Sequence, residues 1–335
     1  MVQTSKELVR GLFEGKNSIV PFIPWVCSFA ARLEQVTVKN MLSDAGVLSR
    51  SLINAQKLFG YDAIVNIFDP TLEAEACGCE VKWFDENSLP TITNHPLGEG
   101  KSIWGLNTSD IEKKGRIPEV LEATKRLTII KGKDVAIGAI ITGPLSLARY
   151  LRGDAFLDKI KQGDEEAEEL VEETGSICLR LCRAYCELGI DFIVITEEIL
   201  GKLEPEYFQV IASPLQSIWN VVGYYNVHSI ILGKGCSEKH VESVFDLGAD
   251  GVALSGDIDY HQMKEKAFEK NRCFGIIIPD SKFTQPDVQP ENEDYKFEQS
   301  VKKGLFLSTE WELPYTTDVN NMHRIMRDIR EYQCS

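Results

Sequence analysis

The chain has 335 residues, 43% hydrophobic and 26% charged, a globular composition with enough length for one large core or two domains. Its formal net charge of -15 repels phosphate backbones, so nucleic acid is not an expected partner. No apolar run approaches the roughly 20 residues that span a bilayer, and the polar amino terminus does not read as a signal peptide; the nine cysteines are therefore expected reduced, in a cytoplasmic protein.

Thr4-Ser-Lys-Glu7 opens the chain with a capping-box pattern, and Leu8, Leu12 and Phe13 mark one apolar helix face. A first strand is predicted over 21–26. A helix follows over 43–59, with Gly60 as its stop, and then a strand over 62–67 that ends at Phe68-Asp69-Pro70. An excursion over about 78–116 comes next, in which 80–83 and 89–92 read as a hairpin. Helical spacing resumes over 117–130. A strand over 135–141 runs into Gly143-Pro144, where proline sits near the first helical position.

The longest predicted helix covers 164–188. Cys178, Cys182 and Cys186 recur on its apolar face, and core packing is the better reading of them than a metal or redox role. Five more strands follow in rhythm, over 191–196, 229–232, 251–255, 273–278 and 305–308. Helical patterns separate or follow them, at about 204–224, 237–247, 259–270, 292–303 and 318–332. Short apolar strands alternating with helices imply a parallel sheet buried on both faces. Eight such units imply an α/β fold closed as a (β/α)8 TIM barrel, one domain over 1–335. An open doubly wound sheet should carry a glycine-rich fingerprint after its first strand, and Pro24-Trp-Val-Cys-Ser28 is not one.

In such a barrel the chemistry sits at the carboxyl ends of the strands. Those ends supply Cys27, Asp69, Thr142, Glu197 with Glu198, Lys234, Asp257, Asp280 and Glu310. Asp257 and Asp280 serve equally well as helix caps or turn residues. Lys234 lies between Gly233 and Gly235, in a predicted loop where the backbone can approach a ligand. His228 falls at the opposite end of its strand. No HxC, HxxxH or CxxC pair occurs, so a zinc site is not expected from the residues.

Several stretches resemble the uroporphyrinogen decarboxylase superfamily, and in particular its corrinoid-linked branch, the methylcobalamin:coenzyme M methyltransferases. They are Phe68-Asp-Pro-Thr-Leu-Glu-Ala-Glu-Ala-Cys-Gly-Cys-Glu-Val-Lys-Trp83, Lys114-Gly-Arg-Ile-Pro-Glu-Val-Leu-Glu-Ala123, Ile141-Thr-Gly-Pro-Leu-Ser-Leu-Ala-Arg-Tyr150 and Leu203-Glu-Pro-Glu-Tyr-Phe208. The resemblance implies the same barrel fold and a methyltransferase that works with cobalamin carried by a separate corrinoid protein, on a small methyl donor or acceptor. In that branch an HxC motif and a further cysteine hold a zinc ion that activates the acceptor thiol. The matching positions here are Leu232, Lys234 and Trp311, which implies that zinc is not used. From the decarboxylase branch the resemblance implies substrate-binding roles for Asp69 and Tyr150, while only Arg32 remains of its arginine-rich motif.

The resulting expectation assigns catalysis to Asp69, Lys234 and Glu197, with Lys234 pairing Glu197 or an anionic substrate group. Tyr150, Arg32, Asp257, Asp280 and Trp311 are expected to bind substrate. The alternatives are a metal held by the mouth carboxylates, a non-catalytic corrinoid or tetrapyrrole binder, and a decarboxylase.

Overall fold

The computed structural model describes residues 3–17, 19–98, 110–285 and 304–334. Its strands are β1 (Ala63–Val65), β2 (Val81–Lys82), β3 (Thr91–Ile92), β4 (Ala136–Thr142), β5 (Phe192–Glu197), β6 (His228–Ser237), β7 (Gly251–Asp257), β8 (Cys273–Ile278) and β9 (Leu305–Thr309). Seven form one sheet in the order β1-β4-β5-β6-β7-β8-β9. Every neighbouring pair in it is parallel. β2 and β3 pair antiparallel, as the predicted hairpin. Helices separate consecutive strands of the large sheet, so both faces are covered. That explains why β4, β5, β8 and β9 are buried along their whole length and carry runs of Ile, Val and Leu instead of alternating residues. The fold is α/β and barrel-like.

The predicted first strand differs. Residues 21–26 form only an isolated parallel bridge, Phe22 to Leu307. The Ile23 N–H donates to the Leu307 carbonyl at 2.8 Å, and the Leu307 N–H donates to the Pro21 carbonyl at 2.9 Å. On the other side, the Asp62 N–H donates to the Phe22 carbonyl at 2.9 Å, and the Phe22 N–H donates to Asp62 Oδ2 at 2.8 Å. The segment thus bonds both to β9 and to the residue just before β1. Pro21 and Pro24 have no N–H to offer, which limits the ladder to one bridge.

The helices follow their sequence signals. Ser5–Phe13 has the complete Thr4/Glu7 capping box. Ala45–Phe59 is capped by Asp44 and stopped by Gly60 at φ 73°. Glu165–Glu187 is capped by the Asp164 carboxylate on the Ala167 N–H, and Cys178, Cys182 and Cys186 are buried along it as core residues. The polar stretch after Pro279 begins with a short helix, Asp280–Thr284. The helix predicted at 292–303 lies outside the described residues.

β6 is longer than the pattern suggested. It continues through the expected glycine loop to Ser237, with a register shift against β7 between Gly233 and Cys236. A bulge of this kind re-aims a side chain at the end of a strand. Gly256 opposite it has φ 135°, and a Cβ there would lie 2.0 Å from the Cys236 carbonyl oxygen, so the close approach requires glycine.

Candidate functional site

The carboxyl ends of the strands gather an aromatic shelf with charged groups around it. Trp311, just beyond β9, meets the Phe68 ring edge-on, with centroids 4.9 Å apart. The Lys234 ammonium, delivered by the bulge in β6, sits 4.9 Å from the Trp311 ring centroid. That is cation–π distance, and the ring face offers the positive charge a partner that competes with no hydrogen bond. Asp280 lies close enough to Lys234 and Glu310 to feel both charges. Burial pushes its carboxyl up to about 6, Glu310 pushes the same way and Lys234 opposes them. Asp280 Oδ1 is buried and has no hydrogen-bond partner.

Glu312 approaches from the same loop and accepts a short hydrogen bond from the Ser28 N–H. Burial pushes its carboxyl up to about 8; Ser28 opposes the shift, and the charges of Asp280 and Asp69 add to it. Beside it, burial and then the Glu312 charge hold the Cys27 thiol well above its ordinary range. Glu312 and Cys27, from opposite ends of the chain, therefore share one low-dielectric corner in their neutral forms near pH 7. The sequence reading did not single out Glu312, although two glutamates flank Trp311 in Glu310-Trp-Glu312.

Asp69, the expected binding aspartate, has a fully buried side chain. Its Oδ1 accepts from the Thr71 N–H at 2.9 Å and the Thr71 hydroxyl at 2.8 Å, and its Oδ2 accepts from Arg116 Nη1 at 2.6 Å. Arg116 Nε donates to Glu75 at 2.7 Å, and the guanidinium lies 5.5 Å from the Trp83 ring centroid of the hairpin. Burial works against the Arg116 cation, but Asp69 and Glu75 overcome it and raise its proton affinity. Arg116 was missed as a site residue. Its signal was a cation immediately before the helix Ile117–Lys131, where the helix dipole disfavours positive charge.

Glu197 does not pair with Lys234. Its Oε1 accepts from the Leu145 N–H at 3.0 Å, and its Oε2 accepts from the Ser146 N–H at 2.8 Å and the Ser146 hydroxyl at 2.7 Å. It thus caps the helix Pro144–Arg152 from the neighbouring strand, where an anion is favoured. Gly143, at the N-cap position, has no side chain of its own for the task; a Cβ there would meet Glu197 Oε1 at 2.3 Å. Burial pushes the Glu197 carboxyl up to about 7.

Tyr150 donates from its hydroxyl to Glu198 Oε2 at 2.6 Å, at the end of β5, and burial followed by the Glu198 charge raises its phenol. Arg32 is engaged elsewhere: Nη2 donates to the Thr317 carbonyl, and the guanidinium lies over Phe29 and Tyr315. Asp257 is exposed at the tip of β7, in register with Ser237; Asp259, not Asp257, caps the next helix. The structure therefore brings together Asp69, Asp280, Lys234 and Trp311 and leaves Asp257 at the rim. His228 is at the other end of the sheet, beside a cavity of about 500 Å³ lined by Lys6, Asp191 and Asp250 among others.

Glu73, near enough to feel the Asp69 charge, is 1% exposed, and its Oε2 is buried without a partner. Burial pushes its carboxyl up to about 8, and the Asp69 charge contributes. In the unfolded chain the group ionises near its ordinary 4.5, so its contribution to stability is complete below that value and is lost as pH rises towards about 8. Glu73→Gln is expected to match the wild type in urea unfolding at pH 4.5 and to exceed it at pH 8, by a few kcal/mol at about 1.4 kcal/mol per unit. Equal stability differences at the two pH values would remove Glu73 as the cause.

Among the described residues, no group of three or more His, Cys, Asp or Glu side chains is disposed to hold a metal ion, and no helix is long and apolar enough to cross a membrane. Comparison with known proteins agrees with the architecture. The methylcobamide:CoM methyltransferase MtbA of Methanosarcina acetivorans is 26% identical over 269 residues, covering 76% of this chain and 77% of its own length. The methylcobamide:CoM methyltransferase MtaA of Methanosarcina barkeri is 26% identical over 63% of this chain, which spans 66% of that protein's length. The solved structure of a methyltransferase from Methanosarcina mazei superposes with a TM-score of 0.83 at 19% identity, over 99% of each chain. The uroporphyrinogen decarboxylase (URO-D) family model matches residues 4–332, nearly the whole chain, and the chain belongs to that family.

Proposed function

We propose that this protein is a methyltransferase that exchanges a methyl group between a corrinoid carried by a partner protein and a small molecule bound on the Trp311–Lys234 shelf. The observation that carries the reading is the similarity to methylcobamide:CoM methyltransferases over about three quarters of the chain. The hydrogen bonds that tie residues 21–23 to both β9 and Asp62 support a closed (β/α)8 barrel, one domain over 1–335 with the hairpin as an excursion over about 78–116. In that fold, the mouth built by the strand ends faces the corrinoid.

A zinc–thiolate centre does not fit the residues at the matched positions. Leu232 is a buried apolar side chain, Lys234 is a cation held against an aromatic ring, and Trp311 is that ring. None offers the soft anionic or imidazole donor that zinc takes. The same three positions favour a second reading, a corrinoid or tetrapyrrole binder without catalysis. Mixing the purified protein with methylcobalamin and a panel of acceptors separates the two. Cobalt-state change with a methylated product supports the enzyme; binding without demethylation supports the carrier and overturns the methyltransferase.

A further inference from the structure

An acceptor that carries a proton on its nucleophilic atom must lose it as the methyl group arrives. A metal centre solves that problem by acidifying the acceptor; a mouth whose donor set does not suit zinc must solve it otherwise. We propose that Asp280 is the general base of this site, taking the acceptor's proton on Oδ1 during methyl transfer; this rests on the methyltransferase reading above.

The geometry selects Asp280 from the surrounding acids. Its Oδ1 is buried and unpartnered just beyond β8, and its carboxyl feels the charges of both the Lys234 ammonium and Glu310. A buried lone pair without a donor is costly unless a ligand supplies one. Asp69 has both oxygens committed, to Thr71 and Arg116. Glu197 is spent on the helix Pro144–Arg152. Glu312 is held by the Ser28 N–H and keeps its proton near neutrality. Asp257 is exposed at the rim. Asp280, by contrast, is ionised above about pH 6, close to the operating pH at which a base works best.

The step balances. The acceptor's lone pair forms the new bond to methyl, and the cobalt–carbon bond breaks with its electron pair left on cobalt, which falls from Co(III) to Co(I). The acceptor's proton passes to Asp280 Oδ1, and solvent removes it between turnovers.

The test uses the full chain with methylcob(III)alamin and three proton-bearing acceptors: a thiol (2-mercaptoethanesulfonate), an aliphatic amine and a phenol. Cobalt reduction is followed by absorbance and the methylated product by mass. For whichever acceptor the wild type methylates, kcat/KM is expected to rise through an acid limb near pH 6. Asp280→Asn should lower the rate at pH 7.5 by about 100-fold and abolish the limb, and Asp280→Glu should restore part of both. The asparagine is isosteric, and an unchanged thermal midpoint shows that the variant is folded. A wild-type protein that methylates none of the three overturns the methyltransferase reading together with the base. An active wild type whose Asp280→Asn variant keeps its rate within threefold, with the limb intact, overturns the base alone.

Discussion

Replacing Lys234 with methionine is expected to lower methyl transfer by at least about 100-fold while shifting the unfolding midpoint only slightly. The size of the first effect follows from placement. Lys234 is the ammonium on the Trp311 shelf, and Asp280 feels its charge together with that of Glu310. Any acceptor that becomes anionic in that corner needs a fixed positive charge, and losing one preorganised electrostatic partner typically costs a factor of about 100 to 1,000. The small effect on stability follows from exposure: Lys234 is half-buried on a bulge, and a lysine in such a setting contributes within about 0.5–1 kcal/mol. Methionine retains the stem that packs on the indole, so the charge is the main thing removed.

The same substitution makes a second, separable claim. Lys234 holds the Asp280 carboxyl down against burial and the Glu310 charge. Without the ammonium, Asp280 protonates more readily. The residual activity of Lys234→Met is therefore expected to rise at a higher pH than the wild type's. Lys234→Arg keeps the charge and is expected to leave the limb near its original place, with a partial loss of rate from the different shape. Turnover of Lys234→Met within threefold of wild type would mean that the lysine is only a packing residue of the mouth.

How much of this was legible beforehand depended on how local each signal was. β4, β5, β8 and β9 were found because a strand buried on both faces has a continuous apolar run that no exposed segment imitates. Residues 21–26 have the same apolar content, and only their prolines told against a regular strand. Lys234 and Trp311 lie side by side in the structure, but the pattern suggested a loop where β6 continues through a bulge, because glycines flanking a residue suit both.

The errors were non-local. Glu197 looked like a free carboxylate at a strand's end, and its true partners are N–H groups that belong to the helix after the preceding strand. The clue was an absence: Gly143-Pro144 starts a helix with no capping side chain, which obliges another residue to supply one. Arg32 is expected at the substrate only through the resemblance, as the one arginine left of the decarboxylase branch's arginine-rich motif. The structure spends it on the carbonyl of Thr317, 285 positions away, which no local pattern encodes.

Arg116 reaches its partner Asp69 across 47 positions, and its replacement should have the largest structural effect. Arg116→Met is expected to destabilise the protein by about 3–5 kcal/mol, the cost of leaving a buried carboxylate without its cation. The Asp69 side chain is fully buried and that of Arg116 is only 10% exposed, so water cannot substitute for the guanidinium. Oδ1 of Asp69 would keep its two Thr71 donors, and Oδ2 would keep none. Glu75 and the Trp83 face would lose their partner at the same time, loosening the hairpin from the loop that carries Asp69. Urea unfolding of Arg116→Met, Asp69→Asn and the double variant isolates the pair. If the unpaired buried charge is the cause, Asp69→Asn added to Arg116→Met should recover at least half of the loss, because the amide needs no cation. Additive losses in the double variant would instead assign the effect to packing of the guanidinium against Trp83, and the Asp69–Arg116 pair would then be a consequence of the fold and not one of its supports.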